Sequence, residues 1–232
     1  VMRSISVDRV RQAAMGDIAV IHAKAGAIQR ARSVIARMSS EAFRNYARIL
    51  VAWTLVEAGK KPEALAFLRK AVVSFGSATS VDNLVWIARI QSKADRPDLA
   101  RSTAAQATAR VKAIDGGSRK IRYLTKLATT KADIGLFDDA VKLAESIDRR
   151  DDRAKALCAI AVAAITRGKL KNGRKLLTQA VKLAASIQDT HQRAIVLVEV
   201  AYVHFRLKEQ QTAFNTIATA ISLGRKDTES WV

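Results

Sequence analysis

Ile134-Gly135-Leu136-Phe137-Asp138-Asp139-Ala140 reads as the end of one helix and the start of another: a glycine where the chain turns, then an alanine five residues later inside a new apolar period. The same spacing returns in Ala25-Gly26-Ala27-Ile28-Gln29-Arg30-Ala31 and in Ala58-Gly59-Lys60-Lys61-Pro62-Glu63-Ala64. Extended along the chain, this register sets anchors at Gly26, Gly59, Asp95, Gly135, Gly168 and Lys208. Small residues follow five later at Ala31, Ala64, Ala100, Ala140, Gly173 and Ala213. The anchors are 33, 36, 40, 33 and 40 residues apart, so the chain contains six related units of unequal length.

Positions that played no part in setting the register agree with it. Seven residues before the anchors stand Ala19, Ala52, Ala88, Ala128, Ala161 and Ala201, and eight before stand Ile18, Val51, Ile87, Leu127, Ile160 and Val200. Eleven before are Met15, Arg48, Leu84, Leu124, Leu157 and Leu197, where Arg48 alone departs from the apolar pattern. Twelve after come Met38, Ala71, Ala107, Ile147, Ala180 and Ala220. Offsets of three, four and seven place these side chains on one face of a helix before each anchor and one face of a helix after it. Alanine at the facing positions lets the two backbones approach closely, and the aliphatic neighbours fill the space between successive pairs. Each unit is therefore a helical hairpin, with the longer spacings expected to lengthen the second helix.

The turn chemistry supports the hairpins. Glycine accepts the left-handed conformation that closes a helix C-terminus. Pro62 and Pro97 suit the first turn of the second helix, where no donor is missed. Gly116-Gly117-Ser118 reads as a further stop and start, with Ser118 as an N-cap.

A small residue, a turn glycine and further alanines at these offsets resemble the tetratricopeptide repeat over nearly the whole chain. The chain departs from that family in its irregular spacing, in lacking the proline that closes each repeat, and in carrying aliphatics where the family has large aromatics. The resemblance implies an all-α, right-handed α-solenoid of about six antiparallel helix pairs, a single domain over residues 1–232. Its approximate repeats are 4–40, 41–77, 80–115, 118–149, 151–188 and 190–224. It also implies a concave surface lined by the first helices. By register, six before the anchors, that surface carries Val20, Trp53, Arg89, Thr129, Val162 and Tyr202. Thirteen before, it carries Ala13, Tyr46, Asp82, Arg122, Lys155 and Ile195. Arg89, Arg122, Lys126 and Lys155 then form a basic centre with Tyr46, Trp53 and Tyr202 as platforms beside it, an arrangement suited to the carboxylates of an acidic peptide or protein.

Charge points the same way. Forty Lys and Arg against twenty-one Asp and Glu leave a net charge of +19. Between Asp152 and Asp189 no acidic residue interrupts Arg153, Lys155, Arg167, Lys169, Lys171, Arg174, Lys175 and Lys182. Between Asp115 and Asp133 the same holds for Arg119, Lys120, Arg122, Lys126 and Lys131. Such a field speeds encounter with acidic protein, nucleic acid or anionic lipid without choosing among them. Binding of an acidic protein segment by a scaffold is the leading reading. Nucleic acid is the alternative partner, read without sequence preference because no repeated pair of base-reading positions is present. Attachment to acidic membranes, or a homo-oligomer through the open ends of the solenoid, comes third. Gly224 to Val232 reads as a cap, a tail or the start of another repeat.

Catalysis has no framework in this sequence. Gly168 and Gly173 are spaced as in a P-loop, but Arg174 and Lys175 replace its Lys and its hydroxyl, and a helix precedes it where a strand belongs. His22, His191 and His204 have no metal-ligand companions, and the lone Cys158 sits among apolar residues as a small core side chain. Asp138-Asp139 and Asp151-Asp152 begin helices, where they complement the dipole and cap free amides. The expectation is a non-enzyme without cofactor or metal. No apolar run reaches the roughly 18 residues of a membrane span. The N-terminus Val1-Met2-Arg3-Ser4-Ile5-Ser6-Val7-Asp8 lacks the apolar stretch of a secretory signal, which points to the cytoplasm.

Overall fold

The computed structural model describes residues 2–75 and 80–229, with side chains described over 7–71 and 80–225. All of its regular elements are helices: α1 (Met2–Lys24), α2 (Ile28–Ala36), α3 (Glu41–Glu57), α4 (Lys61–Phe75), α5 (Val81–Lys93), α6 (Pro97–Lys112), α7 (Gly117–Asp133), α8 (Phe137–Glu145), α9 (Arg150–Thr166), α10 (Leu170–Ala185), α11 (Thr190–Arg206) and α12 (Gln210–Glu229). They form tetratricopeptide-like antiparallel pairs, the odd-numbered helix of each pair preceding its anchor and the even-numbered one following it. By its contacts the chain divides into two units, residues 1–107 and 108–232, with the boundary inside α6.

All six anchors have a left-handed backbone. The φ angles are 76° at Gly26, 75° at Gly59, 57° at Asp95, 90° at Gly135, 75° at Gly168 and 65° at Lys208. At each, the amide of the next residue donates to the carbonyl four before the anchor, as in Ala27 to His22 at 2.8 Å, Leu136 to Lys131 at 2.7 Å and Glu209 to His204 at 3.0 Å. The anchor's own amide donates to the carbonyl three before it, as in Gly135 to Ala132 at 3.0 Å. These are the paired bonds of a Schellman C-cap, which satisfy carbonyls that a helix end leaves free. Asp95 and Lys208 show that the turn is set by this bonding and not by glycine alone.

The unequal spacing of the anchors is taken up by the second helices, as expected. Helices α3, α7, α9 and α11 each have 17 residues. The two 33-residue intervals hold α2 and α8, of nine residues each, whereas the two 40-residue intervals hold α6 and α10, of 16 each. First helices pack on one another, α1 on α3 and α3 on α5 in the first unit, α7 on α9 and α9 on α11 in the second. Helices α2, α4, α8 and α10 each pack on their own partner and on the following first helix, as α8 does on α7 and α9. A first helix therefore has its length held by neighbours on both sides, while the far end of a second helix can grow into solvent.

The register alanines carry the close approach. Those seven before the anchors are at most 1% exposed, and Ala31, Ala64, Ala100 and Ala140 five after them are fully buried. At Gly173 even a methyl group is excluded, because an added Cβ would lie 2.6 Å from Ile165 Cγ1 and 3.3 Å from the Ala161 carbonyl oxygen. Large aliphatics fill the layers between, such as Ile49 and Leu55 in the first unit and Ile160, Val196 and Val200 in the second. Cys158 is buried in this core, and burial, with a smaller contribution from Glu199, pushes its thiol up to about 12, leaving it inert. Arg48, the one departure from the apolar pattern, is absorbed by polar neighbours: its Nη1 donates to Glu41 Oε1 at 2.7 Å and to Asn45 Oδ1 at 2.5 Å.

Three local expectations are corrected. The N-cap of α7 is Gly116 and not Ser118, which lies inside the helix because the helix begins at Gly117. Asp138, Asp139, Asp151 and Asp152 occupy first turns and complement the dipole, but the N-caps Leu136 and Arg149 have no side-chain cap bond, so these carboxylates do not cap their helices. Residues 224–229 continue α12; the end of the second expected repeat near residue 77 and the final Ser230-Trp231-Val232 lie outside the described residues.

Candidate functional site on the first helices

Positions thirteen, nine, six and two before each anchor repeat at helical spacing and share one face of the first helix. In the first unit this face brings Trp53 of α3 against Trp86 of α5, ring centres 5.0 Å apart and planes at 80°, the edge-to-face geometry aromatic pairs favour. Lys93 Nζ lies 5.3 Å from the Trp53 ring centre and the Arg89 guanidinium 5.9 Å from that of Trp86. Lys93 also pairs with Glu57 at 2.8 Å. Tyr46 stands on the same face of α3 and is 52% exposed. Two of the expected residues, Trp53 and Arg89, are thus connected through Trp86, which sequence reasoning missed together with Lys93. The signal was present: these two occupy the nine-before and two-before positions of the very face whose other two rows were read.

In the second unit, Ser118, Ile121, Arg122, Thr125 and Lys126 of α7 surround a cavity of about 310 Å³ with Arg149 and Asp152 at the start of α9. The Arg122 guanidinium rests 5.2 Å from the ring centre of buried Tyr123, with Arg119 at 5.8 Å. Arg149 donates to Asp151 Oδ1 at 3.2 Å and Oδ2 at 2.8 Å and approaches Asp152 at 3.2 Å; the hydrogen bond to Asp151 and then the two carboxylate charges raise its pKa. Burial pushes the Asp151 carboxyl up, but the bidentate Arg149 and nearby Lys155 outweigh it and hold the group below its ordinary value. Lys155 lies 3.5 Å from Asp151 and 3.8 Å from Asp152, and donates to Gln192 at 3.3 Å, tying α9 to α11. Tyr202 is exposed and accepts from Arg206 Nη1 at 3.2 Å, while Arg206 Nη2 donates to Thr166 Oγ1 at 2.9 Å. The structure thus gathers Arg122 and Lys126 at one cavity, links Lys155 to its carboxylate rim, and places Tyr202 in a separate contact between α9 and α11. Arg149 was missed because it precedes α9 and falls outside the repeat register.

The basic run from Arg167 to Lys175 joins neighbouring pairs. Arg167 donates to the Asp133 carbonyl at the end of α7, Lys169 Nζ lies 4.4 Å from the Phe137 ring centre, and Arg174 pairs with Glu209 at the following turn. Among the described residues no group of three or more His, Cys, Asp and Glu is placed to hold a metal, and no helix is long and apolar enough to cross a membrane.

Fold and face together define an all-α helical-repeat protein of tetratricopeptide-like pairs. No family model and no curated protein matches the chain. Among solved structures it is similar to a Podosopora anserina putative kinesin light chain with nearly identical tetratricopeptide-like repeats. The identity is 18% and the TM-score 0.46, with 82% of this chain and 99% of that one covered. A point variant of the same protein gives 17% identity and a TM-score of 0.45, covering 80% and 97%.

Proposed function

We propose that the chain is a non-enzymatic interaction scaffold that takes an acidic peptide segment on the exposed face of its first helices. The observation that carries this reading is the cavity lined by Arg122, Lys126 and Arg149, with Ser118 and Thr125 beside them and the Asp152 carboxylate, already met by Arg149, on its rim. Guanidinium and ammonium donors around the hollow suit a carboxylate, and Arg122, resting on Tyr123, is held ready for it. Arg89 and Lys93, over the tryptophan pair of the first unit, supply cations beside apolar contact of the kind that anchors a peptide.

The test is binding of the purified chain to fluorescent acidic peptides and to a single-stranded RNA, each across a salt series. A selective peptide signal weakened about tenfold or more by Arg122→Glu, roughly 1.4 kcal/mol, with helicity unchanged, is the expected result. Nucleic acid is favoured by one different feature: Arg32, Arg48, Arg69 and Lys70 line a cavity of about 290 Å³ around Phe67 on the α2 and α4 side, so cations also occur away from that face. Tight RNA binding with log affinity falling by about 0.7 per phosphate for each unit of log salt, and no peptide binding, would replace the peptide reading.

A further inference from the structure

Two second helices, α2 and α8, have only nine residues, and each is followed by a longer one, α4 of 15 and α10 of 16. A cavity opens beside each short helix: about 290 Å³ between α2, α3 and α4, and about 440 Å³ between α8 and α10. The two fall at corresponding places in the repeat, yet their chemistry differs. Counted from the anchors, Arg32, Arg48, Arg69 and Lys70 stand where the second unit has Val141, Leu157, Thr178 and Gln179. Among the described residues none that lines the first cavity is acidic, whereas Asp138 and Glu145 line the second. The concentration of cations is therefore a property of this one site and not of the repeat.

Arg48 departs furthest from what the repeat requires. Eleven before the other anchors stand Met15, Leu84, Leu124, Leu157 and Leu197, of which Leu84, Leu124 and Leu157 are at most 9% exposed. An arginine at this position forgoes the apolar contact and takes a guanidinium largely out of water, its side chain being 16% exposed. A sequence that keeps its local pattern elsewhere breaks it mostly where function requires. Arg48 Nη1 is fixed by Glu41 Oε1 at 2.7 Å and by Asn45 Oδ1 at 2.5 Å, which holds the guanidinium at the cavity wall. Glu41 also meets Arg44 at 2.6 Å, so its charge is divided between two arginines. Arg32 is held as well, 5.5 Å over the ring centre of Phe67, and Arg69 and Lys70 complete the lining from α4.

We infer that this cavity binds clustered phosphate groups, those of a soluble polyphosphate or of a phosphorylated lipid headgroup, with Arg48 and Arg32 as its pre-set donors. Three guanidiniums offer paired N–H donors that match phosphate oxygens, and four lining cations suit a ligand of several negative charges. Against about 30 Å³ for each water of the liquid, the cavity admits more than one phosphate group. Single-stranded nucleic acid needs cations strung along a track, with exposed rings for its bases. Here the cations converge on one hollow, and Phe67 is only 4% exposed. The site uses none of the residues of the Arg122 cavity and stands without the peptide reading.

Calorimetric titration with inorganic tripolyphosphate at physiological ionic strength should find one tight site per chain, with citrate, a carboxylate of like charge, weaker by about tenfold or more. Arg48→Leu puts back the leucine that four other repeats carry and should weaken tripolyphosphate by about tenfold or more. Because that change strands the buried Asn45, the double variant Arg32→Gln with Arg69→Gln, at two exposed positions, should give the same loss with an unchanged circular dichroism spectrum. Lys182→Gln in the second unit removes a charge elsewhere and should leave binding within about twofold. Co-sedimentation with phosphatidylcholine vesicles containing phosphatidylinositol bisphosphate separates the two sources. Pelleting that tripolyphosphate competes away and Arg48→Leu abolishes assigns the headgroup; tripolyphosphate binding without pelleting assigns a soluble compound. The proposal is overturned by a wild-type chain with no tight tripolyphosphate site, by variants that keep it, by citrate bound equally well, or by variants that lose only single-stranded RNA.

Discussion

Lys208 holds a left-handed backbone, φ 65°, at a turn where four of the other anchors are glycine. A side chain in that conformation costs about 1–3 kcal/mol, against about 0.5–1 kcal/mol for the extra freedom glycine brings to the unfolded chain. Around Lys208 the turn is tightened by the Glu209 amide bond to the His204 carbonyl, and the Glu209 carboxylate meets both His204 Nδ1, at 2.6 Å, and Arg174. The His204 hydrogen bond is the largest cause, ahead of the opposing desolvation and the Arg174 contacts, and the Glu209 carboxyl lies below its ordinary pKa. Lys208→Gly should relieve the backbone without touching those contacts and raise stability by about 0.5–1 kcal/mol, measured by urea unfolding. Asp95→Gly should change little, because aspartate tolerates the left-handed region better and its exposed pair with Lys61, at 2.5 Å, is lost in the exchange.

Among elements, α9 shows how charge is used inside a repeat. Its first turn carries Asp151, buried and gripped by Arg149, with Lys155 one turn on. The folded state holds the Asp151 carboxyl below its unfolded value, so the group contributes stability at pH above about 4. That contribution falls away as pH drops through the lower folded value. Thermal melts should therefore find Asp151→Asn less stable than the wild type at neutral pH, with the gap closing on acidification below the ordinary carboxyl range. The cations from Arg167 to Arg174 act on their neighbours in a similar way, at turns one repeat before or after their own. Arg167, Lys169 and Arg174 are each engaged by a residue about 32–35 positions away, Asp133, Phe137 and Glu209 respectively. A partner that distant along the chain becomes visible only when the repeats are stacked.

At the scale of the whole molecule, a stack of pairs distributes stability by neighbours. In the second unit α9 packs on α7, α8, α10 and α11, whereas the described contacts of α12 are with α11. Hydrogen exchange on dilute protein should find the amides of α12 opening well before those of α9; equal protection would mean that the terminal pair is already covered. The helix pairs and their turns were legible in the chain because each depends on local spacing: alanines seven before and five after a left-handed anchor, and apolar residues on one face. The register held even at Asp95 and Lys208, and it placed the lengthening in the second helices. The exposed face of the first helices was read mainly in two of its four rows, which offered Tyr46, Trp53, Arg89, Arg122, Lys155 and Tyr202 as candidates, with Lys126 from a third row, and left Trp86 and Lys93 unread. What the sequence by itself determined is therefore the repeat, its turns and the side of each helix that faces its partner, since helix geometry converts spacing directly into direction. Only the tertiary structure decided that Trp86 meets Trp53, that Lys155 is spent on Asp151 and Gln192, and that Arg32 and Arg69 line one cavity. Those outcomes depend on which pair lies alongside which, and residues 30 or more positions apart along the chain carry no local mark of their contact.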